Sequence, residues 1–134
     1  DTLTDRSDYS PSDYAAHLTR RARGLPLWFS LATHGAAAYR EAVSASIVLA
    51  RRIADEIEVR SGFSLVRQPQ LGVVVFERDG WTRADYEAWS QRLLDVQHAF
   101  VTPSSHEGRA NARFAILNPR TTFEDLTGIL DTMR

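Results

Sequence analysis

The chain has 134 residues, 43% of them hydrophobic and 25% charged, with a formal net charge of −1. That is the size and balance of one globular domain, which buries roughly two-thirds of the surface its unfolded chain exposes. The near-neutral charge gives no electrostatic reason for nucleic acid or an acidic membrane as partner, and no apolar run approaches the roughly 20 residues of a membrane span.

Residues 1–12 read as a polar, mobile lead-in, and their missing initiator methionine suggests a processed or truncated chain. Ser10 with Asp13 has the spacing of a short helix start, opening a single domain over 13–134. Three arginines, Arg20, Arg21 and Arg23, then precede a helix that starts near Pro26, carries Trp28, Leu31 and Ala32 on one face and ends around Gly35. A longer helix over 36–60 follows from Tyr39, Val43, Ile47, Ala50, Ile53 and Ile57, which step by three or four. Its wet side offers Arg51–Asp55 and Arg52–Glu56 as i,i+4 pairs.

After Ser61-Gly62 the period changes. Residues 63–66 and 72–78 form two strands, and the run Val73-Val74-Val75 predicts one covered on both faces. Asp79-Gly80 turns the chain into a helix that Thr82 and Asp85 cap, running to about 97 with Tyr86, Trp89 and Leu93 stacked inward. Strands at 100–102 and 110–117 flank a polar loop, SSHEGR. Thr122 with Asp125 then caps a last helix holding Phe123, Leu126, Ile129, Leu130 and Met133. The order α-α-β-β-α-β-β-α predicts an α+β layer structure: one small sheet with more helix than one face requires, and so apolar surface left for a partner.

Little in this chain carries chemistry by itself. The absence of cysteine removes disulfides and thiolate metal sites and suits a cytoplasmic protein. All 16 residues of the Lys+Arg count are arginine, so no side-chain amine can form a Schiff base. His17, His34, His98 and His106 lack zinc spacing, so no metal site is expected. The glycines form neither a dinucleotide fingerprint nor a P-loop. Arg113 stands apart. Strand alternation puts it with Ala115 and Leu117 on the face opposite Phe114 and Ile116, where a guanidinium needs a carboxylate, a phosphate or an edge to reach past.

Two stretches carry a resemblance. Arg20-Arg21-Ala22-Arg23-Gly24-Leu25-Pro26-Leu27-Trp28, with Leu31 and Gly35, resembles an R-R-x-R-x-L-x-x-W segment of the group II pyridoxal-phosphate-dependent amino-acid decarboxylases, the family of the aromatic-L-amino-acid decarboxylase type. Arg113-Phe114-Ala115-Ile116-Leu117-Asn118-Pro119-Arg120-Thr121-Thr122 resembles their C-terminal R-x-x-I-x-N-P-x-T-T strand and helix. Pro26 departs from the lysine common in aromatic-type members. The resemblance implies the small C-terminal domain of the aspartate-aminotransferase-like, fold type I superfamily, with residues 1–12 as the tail of a catalytic loop. It implies a homodimeric carboxy-lyase in amino-acid metabolism. A lysine of a large upstream domain would hold pyridoxal phosphate, whose ring takes up the electron pair left when the α-carboxylate departs as carbon dioxide. This chain alone would then be inert. Arg20, Arg21 and Arg113 are its candidates for anchoring substrate, the catalytic loop or a large-domain carboxylate. Two other readings stand beside this one: a free-standing α+β interaction module, and the small domain of another fold type I lyase or transaminase.

Overall fold

Helical conformation starts at Leu25 in the computed structural model, which describes residues 21–134; the lead-in, the Ser10–Asp13 helix start and Arg20 lie outside the described residues. The first element, α1 (Leu25–Val59), is interrupted at Gly35, whose φ of 77° and ψ of 156° no helical residue adopts and which glycine enters without a Cβ penalty. The interruption falls where the sequence predicts one helix to end and the next to begin. It lies at the boundary between a unit ending at Ala36 and a unit Ala37–Arg134.

In the first unit, Leu25, Leu27, Trp28, Phe29 and Leu31 are all exposed. The Trp28 and Phe29 rings meet edge-on at 5.0 Å, and the Thr33 hydroxyl donates to the Phe29 carbonyl at 2.8 Å. This is part of the surplus apolar surface expected from the sequence.

The second unit continues through β1 (Phe63–Arg67), β2 (Val73–Arg78), α2 (Arg83–Asp95), β3 (Thr102–His106), β4 (Arg109–Ala115) and α3 (Phe123–Asp131). The strands form one antiparallel sheet in the order β1-β2-β4-β3, so two hairpins meet along β2 and β4. Alternation sends Val74, Phe76, Ala112, Phe114 and Ile116 to one face. There they join Ile53 and Ile57 of α1, Tyr86, Trp89 and Leu93 of α2, and Leu126, Ile129, Leu130 and Met133 of α3 in a single buried core. Arg78 ties the periphery together: its Nη1 donates to the Gly62 carbonyl at 2.7 Å and its Nε to the Met133 carbonyl at 3.2 Å.

Both predicted capping boxes are present. The Thr82 amide donates to Asp85 Oδ2 at 2.7 Å and the Thr122 amide to Asp125 Oδ2 at 2.8 Å, while each aspartate's amide donates back to the threonine hydroxyl. These bonds hold both carboxyls below the usual carboxylate range, Asp85 chiefly through the Thr82 hydroxyl and Asp125 chiefly through the Thr122 amide. A carboxyl depressed in the folded state contributes stability that is complete above its unfolded value, near about 4, and lost as the pH falls through the folded value. The gap in thermal midpoint between wild type and Asp85→Asn/Asp125→Asn is therefore expected to be constant at neutral pH and to close as the pH falls below about 4.

Four expectations need correction. SSHEGR is not a loop: Thr102–His106 is an edge strand, and Glu107 (φ 49°) with Gly108 (φ 78°) makes the tight turn into β4, a two-residue connection whose positive φ values match the twist of the strands. An edge strand needs no apolar alternation, which is why its polar sequence reads as loop. The valine run is covered on one face only among the described residues, Val74 being buried while Val73 is 44% exposed. Glu56 pairs with Arg60, at 3.1 Å, rather than with Arg52, whose guanidinium stacks 3.8 Å from the Phe123 ring centroid. Helix α2 ends at Asp95, two residues early, where the Val96 amide closes on the Arg92 carbonyl.

Gly72, just ahead of β2, shows how tightly the sheet closes against its neighbours. Its carbonyl accepts from the Ile116 amide at 2.7 Å, and a Cβ there would lie 2.7 Å from the Ile116 carbonyl oxygen. Backbone, unlike a flexible side chain, cannot step aside. Gly72→Ala is expected to cost about 1–3 kcal/mol, read as a lower urea midpoint.

Candidate functional site

The strand register defines the site on the sheet face away from the three helices. One row across this face is Arg67, Val75, Arg113 and Thr102, since Arg67 pairs with Val75, Val75 with Arg113 and Arg113 with Thr102. The next row is Ser64, Glu77, Asn111 and Ser104. Ser64 is opposite Glu77 and Ser104 opposite Asn111, and the β2–β4 register continued by one residue sets Glu77 against Asn111. Arg67 and Arg113 stand two strands apart, about 10 Å between their backbones. Both are exposed, and neither forms an ion pair among the described residues.

Beneath the arginines the face is buried and polar. Asn111 is 1% exposed, and its amide nitrogen donates to the Arg109 carbonyl at 3.3 Å while Oδ1 has no donor. Glu77 Oε1 is also buried without a hydrogen-bond donor. Arg109 Nε lies 3.4 Å from it, near enough for attraction but not aligned as a hydrogen bond. Leaving the Asn111 acceptor unpaired costs roughly 1–3 kcal/mol. A concavity of about 280 Å³ opens over this ground, lined by Arg67, Val75, Ser104, His106, Asn111 and Arg113 among others. A second concavity in the same unit, about 380 Å³, is apolar, with Val43, Ile47, Leu71 and Leu117 in its wall; Leu71 and Leu117 are largely exposed.

The sequence-predicted residues fall as follows. Arg20 is outside the described residues. Arg21 is exposed ahead of α1 in the first unit, its carbonyl accepting from the Arg23 amide at 2.8 Å. Arg113 is in the second unit, on the face that alternation predicted. Sequence reasoning missed Arg67, because it ended the first strand at residue 66, and it missed Glu77 and Asn111. The register shift between Leu65 and Arg67 lets β1 present Arg67 to the open face, and that irregularity leaves no mark in the sequence.

No group of three His, Asp or Glu side chains is placed to hold a metal ion among the described residues. His106 Nε2 is 3.9 Å from Glu107 Oε1 on the β3–β4 turn, both side chains being exposed. Nor is any helix of the described residues long and apolar enough to cross a membrane.

The α+β topology, four antiparallel strands with helices on one face, is that of the small domain in fold type I pyridoxal-phosphate decarboxylases. Over 99% of its length the chain superposes on mouse CSAD in its apo form with a TM-score of 0.80 and 20% identity, covering 31% of that chain. No protein-family profile matches. In sequence the chain is similar to amino-acid decarboxylases. It is 28% identical over 120 residues to an aromatic-L-amino-acid decarboxylase of Bacillus atrophaeus, covering 84% of this chain and 25% of that protein. It is 31% identical over 109 residues to a 3,4-dihydroxyphenylacetaldehyde synthase of Drosophila melanogaster, covering 81% of this chain and 21% of that protein. The chain thus spans about a quarter of the length of the curated relatives it matches.

Pyridoxal phosphate, the cofactor that this likeness implies, does not fit the residues present. The chain has no lysine to bind the aldehyde. The open face offers guanidinium groups and buried acceptors, and no side-chain amine.

Proposed function

We propose that this chain is the C-terminal small domain of a pyridoxal-phosphate-dependent amino-acid decarboxylase, a carboxy-lyase whose cofactor lysine lies in another part of the polypeptide. The observation that carries the reading is the pairing of a nearly full-length match with a partial one: 81–92% of the chain aligns with amino-acid decarboxylases of which it makes up about a quarter or less. The sheet supports it, since one face is covered by three helices and the other keeps two unpaired arginines over buried acceptors, which suits a domain built to meet more protein. On this reading the isolated chain is inert, the whole enzyme is a cytoplasmic homodimer, and Arg20, Arg21 and Arg113 anchor substrate or the catalytic loop. The exposed apolar residues Leu27, Trp28 and Phe29 supply surface for contact with the large domain or a second subunit.

The test uses the full-length product of the gene. It is expected to bind one pyridoxal phosphate per chain and to release carbon dioxide from an amino acid, and residues 1–134 alone to do neither. A full-length protein without bound cofactor, or an isolated chain that decarboxylates, overturns the proposal.

A further inference from the structure

Asn111 is a buried polar side chain on β4, 1% exposed, with half of its hydrogen-bonding capacity unspent. Its amide nitrogen donates to the Arg109 carbonyl at 3.3 Å, while Oδ1 is closed to solvent and has no donor. Buried acceptors in folded proteins are satisfied almost without exception, so the donor is to be sought among the neighbouring side chains.

The neighbours narrow the choice. Glu77, beside Asn111 on β2, brings only acceptors, and its Oε1 is already engaged by Arg109 Nε at 3.4 Å. Ser104 is directly opposite on β3, but its short side chain does not reach Oδ1. His106 is opposite Arg109 and lies 3.9 Å from Glu107 Oε1. Arg67 is beyond β2 and one row away. Arg113 is on the same strand and the same face, about 7 Å from Asn111 between Cα atoms. It lines the same concavity and makes no ion pair among the described residues. Side chains in strands lean along the strand direction, and a guanidinium carries five N–H donors.

We infer that Asn111 is the positioning residue of Arg113: its Oδ1 accepts from one edge of the guanidinium and leaves the other edge free for a carboxylate. The inference rests on the function proposed above, in which Arg113 anchors substrate or the catalytic loop, and deepens it by naming what holds that arginine. A guanidinium pinned at one edge presents its remaining donors already oriented, which spares part of the ordering cost when a carboxylate arrives. Asn111 acts only through Arg113 and touches no reacting atom. Shortening Arg113 to alanine opens the concavity, and water then takes its place at Oδ1, so the contact is read in orientation rather than in stability.

The first measurement is a crystal structure of the full-length protein. An Arg113 guanidinium nitrogen is expected about 2.7–3.2 Å from Asn111 Oδ1. A separation beyond about 3.5 Å, or Ser104 as the donor instead, overturns the inference. The second measurement is kinetic. Asn111→Leu, which exchanges the amide for an apolar side chain of similar size, is expected to fold and to lower kcat/KM about fivefold to tenfold. Asn111→Asp keeps an acceptor and is expected to recover most of the loss. In the Arg113→Ala background, Asn111→Leu is expected to change kcat/KM by less than about twofold. An unchanged kcat/KM in Asn111→Leu, no recovery in Asn111→Asp, or losses that simply add in the double variant also overturn the inference. The crystal structure needs neither a variant nor activity, so it separates positioning from function. An inert protein with the bond in place loses the function alone, and a working decarboxylase with Arg113 out of reach of Asn111 loses the positioning alone.

Discussion

Replacing Trp89 with alanine is expected to remove about 3–5 kcal/mol of stability, a large part of the roughly 5–15 kcal/mol a domain has to lose. The indole is 1% exposed at the centre of the helix layer and meets Trp81 edge-on at 6.0 Å, while Trp81 in turn meets Tyr86 at 5.2 Å. The cavity left behind is lined by elements that cannot collapse into it without breaking the sheet pairing. The side chain also fastens the C-terminus. Its Nε1 donates to the Thr132 hydroxyl at 2.7 Å, and that hydroxyl donates to the Ile129 carbonyl at 2.6 Å, closing the end of α3. Trp89→Phe, which keeps most of the ring and deletes the donor, is expected to cost about 1–3 kcal/mol. A double-mutant cycle with Thr132→Val separates the two contributions. Coupling near zero between them would mean that the hydrogen bond adds nothing, and an unchanged urea midpoint in Trp89→Ala would contradict the core as described.

That core was largely legible in the sequence, and the reason is local. Thr82 with Asp85 and Thr122 with Asp125 satisfy helix-end amides within four residues of chain, so the motif and the structure are nearly the same statement. Tyr86, Trp89 and Leu93 share a face through helix geometry alone, and Phe114 and Ile116 through strand alternation alone. Legibility fails where pairing is distant. The β3 strand has polar Ser104, Ser105 and His106 and exists because β4 offers it a ladder of hydrogen bonds. The row Ser64–Glu77–Asn111–Ser104 gathers residues from four strands spread over 48 positions of sequence, 64 to 111. No window of sequence contains it. Arg67 was hidden by the register shift beside Val66, a feature of pairing rather than of composition. The absence of lysine, by contrast, was visible at once, and it remains the firmest statement about what this chain cannot do alone.

Arg113 joins the two kinds of legibility, since its face follows from alternation and its surroundings only from the fold. Under the proposed function, Arg113→Ala in the full-length enzyme is expected to lower kcat/KM roughly tenfold to hundredfold, the range given by losing a charge-assisted hydrogen bond of about 1.5–3 kcal/mol. The fold should not change. Arg113 is exposed and makes no ion pair among the described residues, so the urea midpoint should move by no more than a surface substitution moves it, about 0.5 kcal/mol. Arg113→Lys keeps the charge but lacks the planar fork of donors, so it is expected to recover only part of the loss. The kinetic constants divide the two anchoring roles. A rise in KM with kcat unchanged marks a contact to the substrate that is equally strong before and during reaction. A fall in kcat accompanied by a change in KM marks a loop that no longer closes. If neither constant moves while the protein stays folded, Arg113 has no part in the reaction, and its place on the open face is explained by domain contact alone.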